Sequence, residues 1–471
     1  MLFNSFSFLL FFPFVTIVYF ILPYRYRWIW LLFASCGFYI AFIPVYILIL
    51  AVTISIDYGA AILMESREGR SRKLILILSL CSTALVLFIF KYLNFFISSF
   101  SVIAQWFGLS IPDHVFHIIL PIGLSFHTFQ SMAYVIEVYW KKQKAEKHFG
   151  IYSLYVMFYP QLVAGPIERP QNLLTQFYEA HDFNYKQATE GLKQMAWGFF
   201  KKLVIADRLA QYVHLVYDQP DAYKGFPVVV ATVFFAYQIY CDFSGYTDIA
   251  IGAARVMGFR LKKNFNLPYG TESVTEFWRR WHISLSTWFR DYLYIPLGGS
   301  RVSIRKIYFN LAIVFLISGL WHGANWTFII WGALHGIYVI AEKILNLDSV
   351  SKKISIAKKI FRQAITFSLI CFAWIFFRAG SVTDAFQIIR SMVSLDFLHP
   401  SINIISTAYL YFSISVILIL ELVQWKMKNQ EFYFLMENYP RPARLLAYHA
   451  LIISILVFGV FNQTQFIYFQ F

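Results

Sequence analysis

Two histidines set among tryptophans are the residues of this chain best suited to do chemistry. His322 lies in Ser318-Gly-Leu-Trp-His-Gly-Ala-Asn-Trp-Thr327, and the apolar run resumes at once through Phe328, Ile329, Ile330 and Trp331. An ionisable side chain that far from polar sequence is expensive in a membrane and is by default a functional candidate. The competing reading is a buried imidazole hydrogen-bonded to a neighbouring helix. His322 and Asn325 are three apart and would share a face if helical, while Gly319 and Gly323 leave room for a substrate or another backbone. His282 lies in Phe277-Trp-Arg-Arg-Trp-His-Ile-Ser-Leu-Ser-Thr-Trp-Phe-Arg290. On one helix Arg279, His282 and Ser286 would fall together, with Arg290 a turn further. A neutral imidazole can take a hydroxyl proton, nearby arginines disfavour the imidazolium, and the same arginines could grip a phosphate-bearing donor or an acidic carrier. Otherwise this stretch is an amphipathic helix with its charges at the headgroups.

Tyr240-Cys-Asp-Phe-Ser-Gly-Tyr-Thr-Asp248 places two carboxylates, four hydroxyls and a thiol in the apolar stretch 226–258. Asp242, Ser244 and Tyr246 suit the lining of a polar cavity better than catalysis, and Asp242 or Asp248 could pair with an arginine or orient an imidazole. His114 and His117 have the spacing of a metal pair but no third ligand nearby, so no metal is expected. His335, thirteen residues after His322, faces the other side of a straight helix and reads as structural. P-loop, G-x-S-x-G and H-E-x-x-H patterns are absent from the sequence.

The elements that must position these groups are membrane helices. The chain has 471 residues, is 59% hydrophobic and only 14% charged, against about 25% charged in a soluble domain, which excludes a water-soluble globule. The net charge of +15 sits in short turns between apolar runs, as on a cytoplasmic face, so nucleic-acid binding is not implied. Cys36, Cys81, Cys241 and Cys371 are dispersed in apolar segments and read as packing residues. Residues 9–22 lack a basic n-region and contain Pro13, so they read as a retained span. Apolar runs recur from 6–22 to 442–462 and predict ten to thirteen membrane helices. Arg25 and Arg27, the basic stretch 67–73 and the lysines of 141–147 can share the cytoplasmic side if 28–63 crosses twice, bending near Pro44, and 74–90 and 115–140 each cross once. Residues 92–108 would then lie along the interface or form a short pair. The proline-rich 159–170 is too irregular for a simple span, and 260–305 reads as interfacial amphipathic helices. The fold class is an all-α polytopic membrane protein, one domain over 1–471, with no internal repeat.

Six segments in order carry a resemblance that covers nearly the whole chain: Leu120-Pro-Ile-Gly-Leu-Ser-Phe-His-Thr-Phe-Gln130, Pro160-Gln-Leu-Val-Ala-Gly-Pro-Ile-Glu-Arg169, Asp242-Phe-Ser-Gly-Tyr-Thr-Asp248, Trp278-Arg-Arg-Trp-His-Ile-Ser-Leu285, Trp321-His-Gly323 and Phe372-Ala-Trp-Ile-Phe-Phe-Arg378. The chain resembles the membrane-bound O-acyltransferases (MBOAT), in the bacterial branch that modifies cell-envelope polysaccharides, and most of all the alginate O-acetylase type. His127, where a tyrosine-like aromatic is expected, departs from the pattern. The resemblance implies a helical bundle with a central funnel, His322 as the central catalytic histidine and His282 as the second site residue. It also implies a bacterial inner-membrane location, acetyl-CoA or another acyl thioester as co-substrate with no tightly bound cofactor, an extracytoplasmic polysaccharide acceptor, and an SGNH-type acyltransferase partner. On the chemistry, His322 is the general base, and His282, Asn325 or a backbone N–H stabilises the oxyanion or positions substrate, with Arg279, Arg290, Asp242, Ser244 and Tyr246 as binding candidates. The C-terminal Phe466-Ile-Tyr-Phe-Gln-Phe471 is an apolar end expected to pack on the body or on a partner. A transporter of a lipid-linked saccharide, a non-catalytic scaffold and teichoic-acid D-alanyl transfer are the alternative functions.

Overall fold

A computed structural model describes residues 1–109, 116, 121–162, 165–347, 355–394, 406–428, 430–461 and 466–469. His114 and His117 therefore lie outside the described residues, as do Leu120, Val163 and Ala164 of the motifs above. The described elements are helical, with no strand among them. The longer helices are α1 (Phe6–Ile21), α2 (Tyr24–Ile40), α3 (Tyr46–Glu65), α4 (Gly69–Leu87), α5 (Leu93–Trp106), α6 (Leu124–Tyr139), α7 (Phe149–Met157), α8 (Tyr185–Phe199), α9 (Asp207–Tyr217) and α10 (Phe226–Val256). They continue with α11 (Val274–Arg280), α12 (Ile283–Phe289), α13 (Ile304–His322), α14 (Trp326–Ile344), α15 (Ile356–Arg378), α16 (Val382–Met392), α17 (Thr407–Met427) and α18 (Arg441–Phe458). Among the described residues, eight helices are long and apolar enough to cross a membrane, and α1 is a shorter apolar one. The chain packs as two compact units, residues 1–191 with 253–262 and residues 192–252 with 263–471.

In the first unit, 28–63 does form two helices, parted at 41–45 around Pro44. The basic turns meet at one end of this unit. Lys141 pairs with Glu68, Arg72 donates to the Val138 and Tyr139 carbonyls, and Trp28 packs on His148. Residues 92–108 do not form a separate pair. One 38-residue helix runs over Gly69–Trp106, because α4 passes into α5 through a π-turn at Phe88–Tyr92 and nothing between Arg70 and Trp106 is a proline or glycine. Buried polar groups of the span pair with one another, as they must where water is absent: Ser79 and Thr83 donate to Asp57, and His127 shares a 2.6 Å hydrogen bond with Thr53. The proline-rich loop is anchored by Glu168, fully buried, which accepts from the Lys262 backbone N–H and the Asn172 amide, both at 2.5 Å.

The second unit holds every candidate site residue. Its α13–α14 hairpin is closed by glycines: a Cβ on Gly319 would lie 2.3 Å from the Phe328 carbonyl oxygen, and one on Gly332 2.4 Å from that of Phe315. Gly319 thus makes room for another backbone, the second of the two options its position left open. A further crossing brings Gly198 of α8 against Gly245 of α10, where an added Cβ would meet the Gly245 carbonyl at 2.6 Å.

Candidate active site

The segment around His282 is not one helix. α11 ends at Arg280, Trp281 is extended (φ −102°, ψ 131°) and His282 takes the left-handed conformation (φ 42°, ψ 55°) before α12 begins. That conformation costs roughly 1–2 kcal/mol for an L-residue, so neighbours must hold it. Asn264 does so: its carbonyl accepts from Ile283 N–H at 2.9 Å and its side-chain oxygen from Ser284 N–H at 3.3 Å. Trp281 bolts the turn, its ring 5.0 Å from Phe265, 5.2 Å from Trp374 and 5.4 Å from Phe277. Trp281, His282, Leu285 and Phe289 are buried in the unit while Arg279 and Arg290 are exposed, so both short helices bury one face and leave the charged one open. Burial pushes His282 down to about 3, so the imidazole is neutral at physiological pH.

His322 is the last residue of α13 and is also buried. Its ring lies 4.9 Å from Trp321, 5.0 Å from Trp331 and 5.5 Å from Phe377. The group that joins the two imidazoles is Tyr468 from the C-terminal segment, with its ring centroid 5.5 Å from His322 and 6.3 Å from His282. Both imidazoles therefore border one aromatic ring, and their centroids can be separated by no more than about twice that spacing. The Phe466–Tyr468 segment docks on the unit: Ile467 N–H donates to Asp242 at 2.8 Å, and Phe466 packs 4.6 Å from Tyr246.

The other candidates divide. Asn325 does not share a helical face with His322, because the helix breaks at Gly323 and Asn325 caps α14, accepting from Thr327 N–H at 3.1 Å and donating to the Gly380 carbonyl at 3.0 Å. Asp242 pairs with a lysine, not an arginine or an imidazole: Lys202 lies 2.6 Å from Asp242 and 2.8 Å from Asp207. Lys202 also sits 5.7 Å from the Tyr246 ring. Ser244 accepts from Lys201 at 3.0 Å, and Lys201 pairs with Asp248 at 2.5 Å. Tyr240, Ser244, Thr247 and Asp248 do line a small polar cavity, of about 60 Å³, as the residue types indicated. Asp242 and Tyr246 instead hold the C-terminal segment. Arg279 and Arg290 are not brought to the histidines but line a separate cavity of about 390 Å³ that includes Ser318 and neither imidazole. His335 is buried on α14 and accepts from the Trp278 indole at 3.2 Å, a structural partner. Lys201, Lys202 and Tyr468 are the site residues the sequence reading missed. The lysines had a signal, a charged pair inside the apolar run Phe199-Phe-Lys-Lys-Leu-Val-Ile, whereas the place of Tyr468 depends on docking.

Two buried histidines thus border one tyrosine ring on a polytopic helical frame, and the comparisons with known proteins give the chain's class. The family model of the membrane-bound O-acyltransferases (MBOAT) matches residues 148–379. The chain belongs to this family and is an O-acyltransferase. It is 40% identical over 402 residues to the probable alginate O-acetylase AlgI of Azotobacter vinelandii, covering 84% of this chain and 78% of that one. The peptidoglycan O-acetyltransferase of Helicobacter pylori is 36% identical over 395 residues, 78% of this chain and 74% of its own. The teichoic acid D-alanyltransferase of Bacillus subtilis is 26% identical over 287 residues, 56% of this chain and 71% of its own.

Proposed function

We propose that this chain transfers an acetyl group from a cytoplasmic thioester such as acetyl-CoA toward hydroxyls of an extracytoplasmic polysaccharide of the alginate kind, directly or through an SGNH-type partner, in a bacterial inner membrane. The observation that carries the reading is the pair of buried imidazoles, His322 and His282, bordering the same tyrosine ring. The names of two relatives above 30% identity, an alginate O-acetylase and a peptidoglycan O-acetyltransferase, support acetyl as the group.

In the proposed step His322 takes the proton of the acceptor hydroxyl as its oxygen attacks the thioester carbonyl. The carbonyl oxygen becomes an oxyanion, the carbon–sulfur bond breaks, and the imidazolium returns its proton to the leaving thiolate. His282, neutral at physiological pH, can donate a ring N–H to the oxyanion, whereas the amide of Asn325 is committed to its cap and to Gly380. The surrounding Trp321, Trp331 and Phe377 limit water that would hydrolyse the thioester.

Purified protein in vesicles, given labelled acetyl thioester and acceptor, provides the test. His322→Ala is expected to lower transfer at least about a hundredfold, the usual weight of a general base, with unchanged folding in detergent. Near-normal transfer by that variant would discard the assignment, and transport of a saccharide with no donor present would favour a transporter.

A further inference from the structure

The cavity lined by Arg279 and Arg290 is not explained by acyl transfer. At about 390 Å³ it has the size of a small-ligand site, roughly a dozen water volumes. Its inner walls are apolar, formed by Trp278, Phe289 and, on α13, Leu311, Val314 and Phe315. Its hydroxyls are largely committed as donors: Thr275 to Glu342, Ser286 to the Trp281 carbonyl and Thr287 to the Ser284 carbonyl. No carboxylate lines it. Arg290 uses Nε on Asp291, and Arg279, which is exposed, forms no ion pair among the described residues. One wall belongs to α13, a helix long and apolar enough to cross a membrane. Leu311 and Val314 are half-buried, while Ile317 and Phe309 turn away from the cavity on α13 and are exposed at 41% and 62%.

We propose that this cavity is a binding site for one anionic phospholipid, its phosphate held by Arg279 and Arg290 and an acyl chain laid against Leu311, Val314 and Phe315. Guanidinium groups match phosphate oxygens in charge and geometry, and basic pockets between membrane helices are the usual places where anionic headgroups bind. A soluble phosphate-bearing donor would bring polar groups that the apolar wall cannot satisfy. The inference stands apart from the acyltransferase reading, since neither His282 nor His322 lines the cavity.

The experiment incubates the full-length protein in mixed micelles of dioleoyl phosphatidylglycerol and dioleoyl phosphatidylcholine, then counts retained lipid per chain by native mass spectrometry. The wild type is expected to keep one phosphatidylglycerol in preference to phosphatidylcholine. Arg279→Gln with Arg290→Gln should lower that preference roughly tenfold, and Val314→Trp, which fills the cavity without touching charge, should lower retention of both lipids. Equal retention of the two lipids by the wild type would overturn the proposal whatever the variants do. So would displacement of phosphatidylglycerol by equimolar coenzyme A, which would assign the arginines to a soluble phosphate ligand.

Discussion

His282 combines three properties at one residue: a left-handed backbone, full burial and a ring facing Phe243 at 4.6 Å and Tyr468 at 6.3 Å. Burial lowers its proton affinity from the ordinary 6.5 to about 3, which fixes the sign of a pH effect. The unfolded chain takes up a proton here near pH 6.5, while the folded chain takes it up only near 3, so stability is fully present above pH 6.5 and falls as pH drops through this window. The limiting slope is about 1.4 kcal/mol per pH unit. His282→Gln removes this proton uptake, so its melting temperature in detergent is expected to fall less steeply than that of the wild type between pH 6.5 and pH 4. Parallel slopes would show that the ring is solvated. The same neutrality means that any limb in the rate profile between pH 5 and 9 belongs to another group.

At the scale of elements, glycine contacts decide which charged and aromatic groups meet. Gly198 lies against Gly245, and this crossing of α8 and α10 brings the lysine pair that follows Gly198 beside Asp242 and Asp248. In the same way Gly319 and Gly332 seat α13 on α14, which sets His322 against Trp331. Gly319→Ala adds a carbon that would sit 2.3 Å from the Phe328 carbonyl, a backbone atom that cannot swing away. Overpacking of this kind costs about 1–3 kcal/mol, and the expected result is a lower melting temperature in detergent together with reduced transfer. An unchanged melting temperature would mean that the hairpin has room to spare. The helices themselves were legible in the sequence, because runs of twenty apolar residues have few other outcomes. The break at His282 was not, since the tryptophan and leucine spacing of 277–290 is helical and the interruption comes from Asn264, eighteen residues away. Asn325 was legible in principle: an asparagine before Trp-Thr is an N-cap signal, but its three-residue spacing from His322 favoured a continuous helix. The lysine pair and the apolar C-terminal end each left a local trace, but the partners they meet, Asp242 for Lys202 and Asp242 with Tyr246 for the C-terminal segment, depend on packing between distant stretches of chain.

At the scale of the whole chain, charge and hydropathy set how the molecule lies in a bilayer. The excess of 40 Lys and Arg over 25 Asp and Glu is concentrated in turns, and in the first unit three of these turns share one end. Glu68 meets Lys141, Glu65 accepts from Ala145 N–H at 3.3 Å, Tyr58 donates to the Lys147 carbonyl, and Trp28, next to Arg27, packs on His148. Three basic turns held together in this way lie on one side of the membrane, and the bias of Lys and Arg makes the cytoplasm the expected side. Surface labelling checks this directly. In a variant lacking the four native cysteines, single substitutions Ser66→Cys and Lys144→Cys are both expected to react with a membrane-impermeant maleimide in inside-out vesicles and to be silent in intact cells. Ser66, Glu68, Lys141 and Lys144 are exposed at this end, so poor access does not explain silence in cells. Labelling of the two positions from opposite faces would contradict the Glu68–Lys141 and Glu65–Ala145 contacts themselves, and labelling of both from outside would preserve the fold of this unit while reversing its orientation.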